Sequence, residues 1–172
     1  LPEAKVYSLL IQLVIASAMV IATVFIHLVG LAILVRILRA RSWHPFLERV
    51  RPITLLLGAS FGIFAIHTVE IWLFALLYLL LGAAADFEQS LYFSTVTYAS
   101  IGYGDVLVSK PWRILGAIEG AAGVIMLGWS TAFLVSLLAQ SKLLKHDWLS
   151  VEPTPENPSP DRHDAGRGPS SS

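Results

Sequence analysis

Five consecutive residues, Ser100-Ile101-Gly102-Tyr103-Gly104, are the part of the chain best suited to chemistry, and that chemistry belongs to the backbone. Carbonyl oxygens are neutral ligands, and a closely spaced run of them can replace the water around a dehydrating cation. For successive carbonyls to face one axis, the backbone must alternate in handedness. Gly102 and Gly104 permit this, because without a Cβ they enter left-handed conformations that other residues resist. Ser100 would add a hydroxyl at the inner mouth, and Tyr103 would point away from the axis and brace the strand from behind. Gly-x-Gly alone is common in loops. Here Thr97 stands three residues before Ser100 and Asp105 follows Gly104, which sets the run apart from an ordinary turn.

A second group of candidates is ionisable. His27, His67, Glu70 and Glu119 lie within long apolar runs, where such groups are costly and turn toward protein or water. His67 and Glu70 are three apart and share a helical face. Three readings are open: a titrating network that biases the chain's activity, a neutral hydrogen-bonded cluster that fixes helix packing, and a metal site. Packing is the preferred reading. A metal site is the weakest, because spacing alone does not converge the ligands.

The elements that must position these residues follow from composition. Of 172 residues 55% are hydrophobic and only 14% charged, with mean hydropathy +0.68. A soluble domain of this size could not hide so much apolar surface. Three stretches, about Val6–Val35, Ile53–Ala85 and Ile114–Leu138, exceed the roughly 20 residues a helix needs to cross a bilayer. The first lacks the basic leader and the short apolar region of a signal peptide. The absence of cysteine excludes disulfides and thiolate chemistry. Between the first two stretches Arg36, Arg39, Arg41, Arg49 and Arg51 face one acid, Glu48, which marks the cytoplasmic side and puts the N-terminus outside and the C-terminus inside. The segment 86–98 reads as a short helix entering from the outer face, with Asp86 as N-cap and Glu88 in its first turn. Its carbonyl end points toward the bilayer centre and favours a cation there.

On these residues the run 100–104 resembles the Thr-Val-Gly-Tyr-Gly filter of the potassium channel pore-domain family, two spans plus a pore loop, over about Ile53–Leu138. The resemblance implies an all-α membrane protein: three transmembrane helices, with a re-entrant pore helix and filter between the second and third. One filter strand cannot surround an ion, so a homotetramer is implied, conducting K+ passively across a plasma (bacterial inner) membrane. Ser100, Ile101, Gly102, Tyr103 and Gly104 would bind the ion, supported by Tyr92, Phe93, Val96, Thr97, Asp105 and Trp112. Gly123 falls near the family's hinge glycine, though close helix packing explains it equally well; packing is the better reading for Gly116 and Gly120.

The implied partners are lipid, K+ and copies of the chain. Nucleic acid is not among them, nor is any cofactor beyond the permeant ion. Departures from the family pattern are Ser100 for the usual Thr, Ala99 before it, and Tyr92-Phe93 where Trp-Trp is common, so that indole donors to the filter are lost.

The expected organisation is an N-terminal transmembrane helix over 1–40, a basic linker over 41–52, a pore domain over 53–141 and a disordered Pro/Ser-rich tail over 142–172. The first span has no ladder of arginines, so voltage sensing is not expected, and Arg41–Arg51 read as a membrane-surface anchor. No triad, metal motif or phosphate loop points to an enzyme. The rival readings are a weakly selective cation channel, a potassium transporter subunit, and a non-conducting sensor or scaffold that keeps the pore fold.

Overall fold

The computed structural model describes residues 2–40 and 51–140. The linker over 41–50 and the tail beyond 140 lie outside the described residues, and with them most of the expected anchor and all of the expected disorder. Within the described residues every regular element is helical: α1 (Pro2–Ala40), α2 (Arg51–Leu80), α3 (Phe87–Tyr98), a 3-10 turn (Lys110–Trp112) and α4 (Arg113–Gln140). The protein is an all-α membrane protein. Three of its helical segments, Val6–Ala40, Ile53–Leu80 and Lys110–Gln140, are long and apolar enough to span a bilayer.

α2 stops at Leu80, short of the expected Ala85, for a backbone reason. Gly82 takes φ +60°, and the Ala83 N–H returns to the Tyr78 carbonyl (2.9 Å) while the Gly82 N–H returns to Leu79 (3.1 Å). This pair of bonds closes a Schellman cap, which needs a left-handed residue at Gly82. The cap turns the chain into α3, whose N-cap is Asp86 as expected: its Oδ1 accepts from the Gln89 N–H at 2.8 Å. The long return after α3 is pinned to the same turn, where the Ser109 N–H donates to the Ala83 carbonyl (2.9 Å).

The core sits where α3 is wedged between α2 and α4. Phe74, Tyr78, Ala83, Phe93, Val108 and Leu115 are buried together, with Ala16 of α1 against them. Phe93 meets Tyr78 edge-on at 5.2 Å between ring centroids. Small residues bring helices close. A Cβ on Gly30 of α1 would stand 2.8 Å from the Ile66 side chain of α2, and one on Gly62 of α2 would stand 2.8 Å from Leu34 of α1. Large apolar side chains such as Val14, Phe61 and Phe64 point outward, as lipid-facing residues do.

Candidate functional site: a glycine-alternating loop at the end of the pore helix

The loop leaves α3 through a tight set of backbone bonds. Ala99 takes φ −75° and ψ 0°, and its N–H donates to the Thr95 carbonyl (3.1 Å). The Ser100 N–H donates to Thr97 (2.9 Å), and both Ile101 (2.8 Å) and Gly102 (3.1 Å) donate to the Val96 carbonyl. Val96 and Thr97, expected as filter support, therefore act through their backbone oxygens, which hold the start of the loop against the helix end. From there the chain alternates. Ser100, Gly102 and Gly104 have φ of +58°, +56° and +78°, while Ile101 and Tyr103 are not left-handed. Gly102 and Gly104 meet the requirement for alternating handedness. Ser100 does so too, although its residue type gives no warning of it.

Beyond the loop, Asp105 is anchored twice: Oδ2 accepts from the Tyr92 hydroxyl at 2.7 Å, and Oδ1 accepts from the Val106 N–H at 3.0 Å. The loss of indole donors is thus met in part by a phenol, since Tyr92 reaches across from α3. That hydroxyl holds the Asp105 carboxyl below its ordinary range, and Asp105 in turn holds the Tyr92 phenol above its own. Phe93 takes a different place from the one expected. It packs against Tyr78 and Gly116, bracing the pore helix from behind and not the loop. Trp112 likewise lies against the buried cluster, at the head of α4. Ile101 and Tyr103 are exposed on the single chain, Tyr103 at 71%.

Three glycines of α4 form the seat for the pore helix. A Cβ on Gly116 would stand 2.9 Å from Phe93 Cζ, and one on Gly120 would stand 3.3 Å from the Thr97 carbonyl oxygen. At Gly123 it would drive into the Tyr98 carbonyl, 2.9 Å from the carbon and closer still to the oxygen. α4 runs unbroken through Gly123. The position thus has a packing reason of its own, apart from any hinge.

The buried ionisable residues form two groups, not the single network expected. In the first, Glu70 stands between two histidines, with Oε1 3.0 Å from His27 Nδ1 and Oε2 3.0 Å from His67 Nδ1. The Tyr98 hydroxyl donates to Glu70 Oε2, and Ser130 Oγ lies 2.9 Å from His67 Nε2 and 3.4 Å from His27 Nε2. Glu119 is apart from these: it accepts from the Tyr78 hydroxyl (2.6 Å) and pairs with Ser94 Oγ (2.5 Å), which also reaches the Ile71 carbonyl at 2.9 Å. The first group joins α1, α2, the last residue of α3 and α4; the second locks the middle of α3 between α2 and α4. Tyr98, Ser94 and Ser130 were not anticipated. Their only signal is the rule that a buried charged group requires hydrogen-bond partners.

Comparison with curated proteins found no match, and neither did comparison with solved structures. Residues 66–140, from the C-terminal half of α2 through α3 and the glycine loop to the end of α4, match the family model described as Ion channel.

Proposed function

We propose that the protein is a potassium-selective channel, in which four copies of the chain place their 100–104 loops around one axis and K+ passes down its gradient. The observation that carries this reading is the alternation of φ at Ser100, Gly102 and Gly104. A strand whose hand changes from each residue to the next can turn consecutive carbonyls to one side, which is the ligand set a dehydrated K+ requires. One loop cannot enclose an ion, and the exposure of Ile101 and Tyr103 on the single chain is what neighbouring copies would cover. α3 would aim its carbonyl end at the cavity beneath the filter. The arginines between α1 and α2 would place that side in the cytoplasm and the filter mouth outside, in a plasma or bacterial inner membrane.

The test is reconstitution into liposomes with opposed K+ and Na+ gradients and measurement of the reversal potential. A value near the K+ equilibrium potential is expected. A value near zero would refute selectivity and leave a general cation pore. An intact dimer without current would favour a scaffold that keeps the fold.

A further inference from the structure

The buried group around Glu70 has the makings of a metal site. We propose that His27, His67 and Glu70, with Tyr98 at the fourth position, bind a divalent transition metal of the zinc type inside the membrane, clamping α1 to the end of the pore helix.

The donor atoms of His27, His67 and Glu70 lie within 4.8 Å of one another, and all three residues are buried. Adjacent pairs are closer: His27 Nδ1 to Oε1 is 3.0 Å, His67 Nδ1 to Oε2 is 3.0 Å, and His67 Nδ1 to Tyr98 Oη is 3.0 Å. Tetrahedral zinc, at 2.0–2.2 Å from nitrogen and oxygen, holds its ligands about 3.3 Å apart. These pairs need to open by only a few tenths of an ångström, while the widest separation contracts.

Ser130 supplies what such sites need behind the ligands. The Nε2 atoms of both imidazoles face its one hydroxyl oxygen, which has two lone pairs and can accept both N–H groups. In that tautomer both rings would direct their Nδ1 lone pairs at the carboxylate and the phenol oxygen. Lone pairs facing oxygens repel unless something positive lies between them. A second-sphere acceptor that fixes the tautomer and leaves the other nitrogen free is the usual partner of a metal-bound histidine. The Glu70 carboxylate offsets one of the two positive charges, and the Tyr98 oxygen, 3.0 Å from His67 Nδ1, completes a four-ligand set.

The position of the site gives it a consequence. His27 belongs to α1, which lies outside the 66–140 family match, whereas Tyr98 stands two residues before Ser100. A bound metal would tie the added first span to the base of the filter loop. The inference stands whether or not the pore selects K+.

The test uses the full-length chain without a polyhistidine tag, stripped with chelator in detergent and titrated with Co2+. Visible absorption bands of tetrahedral intensity, one Co2+ per chain and displacement by Zn2+ are expected. Zn2+ should also raise the thermal midpoint of the wild type, a readout that needs no variant. His27→Asn and His67→Asn, chosen because the amide N–H can serve the Glu70 carboxylate and so keep the helices together, should each weaken binding about 100-fold or more. Replacing His44, His146 and His163 together should leave binding unchanged. A folded wild type with no Co2+ spectrum and no Zn2+ shift would overturn the proposal and leave a group held by protons alone. So would binding that survives His27→Asn but is lost in the triple variant.

Discussion

Gly123→Ala tests how the pore helix is seated. The added methyl would meet Tyr98 at 2.9 Å from its carbonyl carbon and 3.0 Å from its Cα, with the carbonyl oxygen nearer still, where ordinary contact begins at 3.4 Å. The opposing atoms are backbone and cannot rotate away, so α4 and the end of α3 must separate by half an ångström or more. Gly→Ala by itself returns about 1 kcal/mol of helix preference. Forcing a methyl into filled space costs about 1–3 kcal/mol. The net effect is a loss of up to about 2 kcal/mol on these two figures. Gly128 is the internal control, since nothing lies within 4 Å of a Cβ built there, and Gly128→Ala should show the helix gain alone. Gly120→Ala, 3.3 Å from the Thr97 oxygen, should fall between them. The assay is the thermal midpoint of each variant in detergent, together with K+ flux in liposomes. Flux should fall with stability in Gly123→Ala, because the displaced carbonyl precedes Ser100 by two residues. A Gly123→Ala midpoint equal to or above that of Gly128→Ala would refute the seating argument and leave a hinge as the reason for glycine there.

Gly102→Ala should abolish K+ flux while the protein still inserts and assembles. At φ +56°, with open space around the Cβ, the cost is backbone strain of about 1–2 kcal/mol, too little to unfold the chain but enough to turn the carbonyls; unchanged flux would sink the filter assignment. Glu119→Ala should destabilise by about 1–3 kcal/mol, since it strands the buried Tyr78 hydroxyl, whereas Glu119→Gln keeps an acceptor and a donor for Tyr78 and Ser94 and should cost less; equal thermal midpoints for the two would refute the pairing. Asp105 has its carboxyl lowered in the fold by the Tyr92 hydroxyl, so its anchoring of the loop is complete above the ordinary carboxyl value of 3.8 and is lost as pH falls through the lower folded value. Tyr92→Phe should therefore move the acid loss of flux to higher pH, and identical acid profiles would show that the Tyr92–Asp105 bond has no bearing on the loop.

What could be read from the sequence, and what could not, divides along a physical line. Features set by local backbone chemistry were readable. Asp86 caps α3 because its side chain serves the nearest free N–H group, and Gly102 and Gly104 take positive φ because only glycine does so without cost. Ser100 marks the limit of that reasoning. Its left-handed φ of +58° runs against its own preference and is imposed by the bonds that Thr97 and Val96 accept on either side. The end of α2 was misplaced for a related reason: the run Leu80–Ala85 is apolar throughout, and hydropathy cannot see the cap that Gly82 builds.

The polar groups follow a different logic. Helical spacing puts His67 and Glu70 on one face, but nothing local says that His27, 43 residues before Glu70, arrives at the same depth and rotation. That meeting depends on how closely α1 and α2 approach, which is set by Gly30 against Ile66 and Gly62 against Leu34. Glu119 shows the converse. It shares the residue type and the apolar setting of Glu70, yet α4 turns it toward Tyr78 and Ser94, because Gly116, Gly120 and Gly123 seat that face of the helix on α3. A buried carboxylate must find donors, and sequence alone is enough to say so. Which donors it finds is decided by the small residues beside it, one turn away, that let a particular neighbour come close.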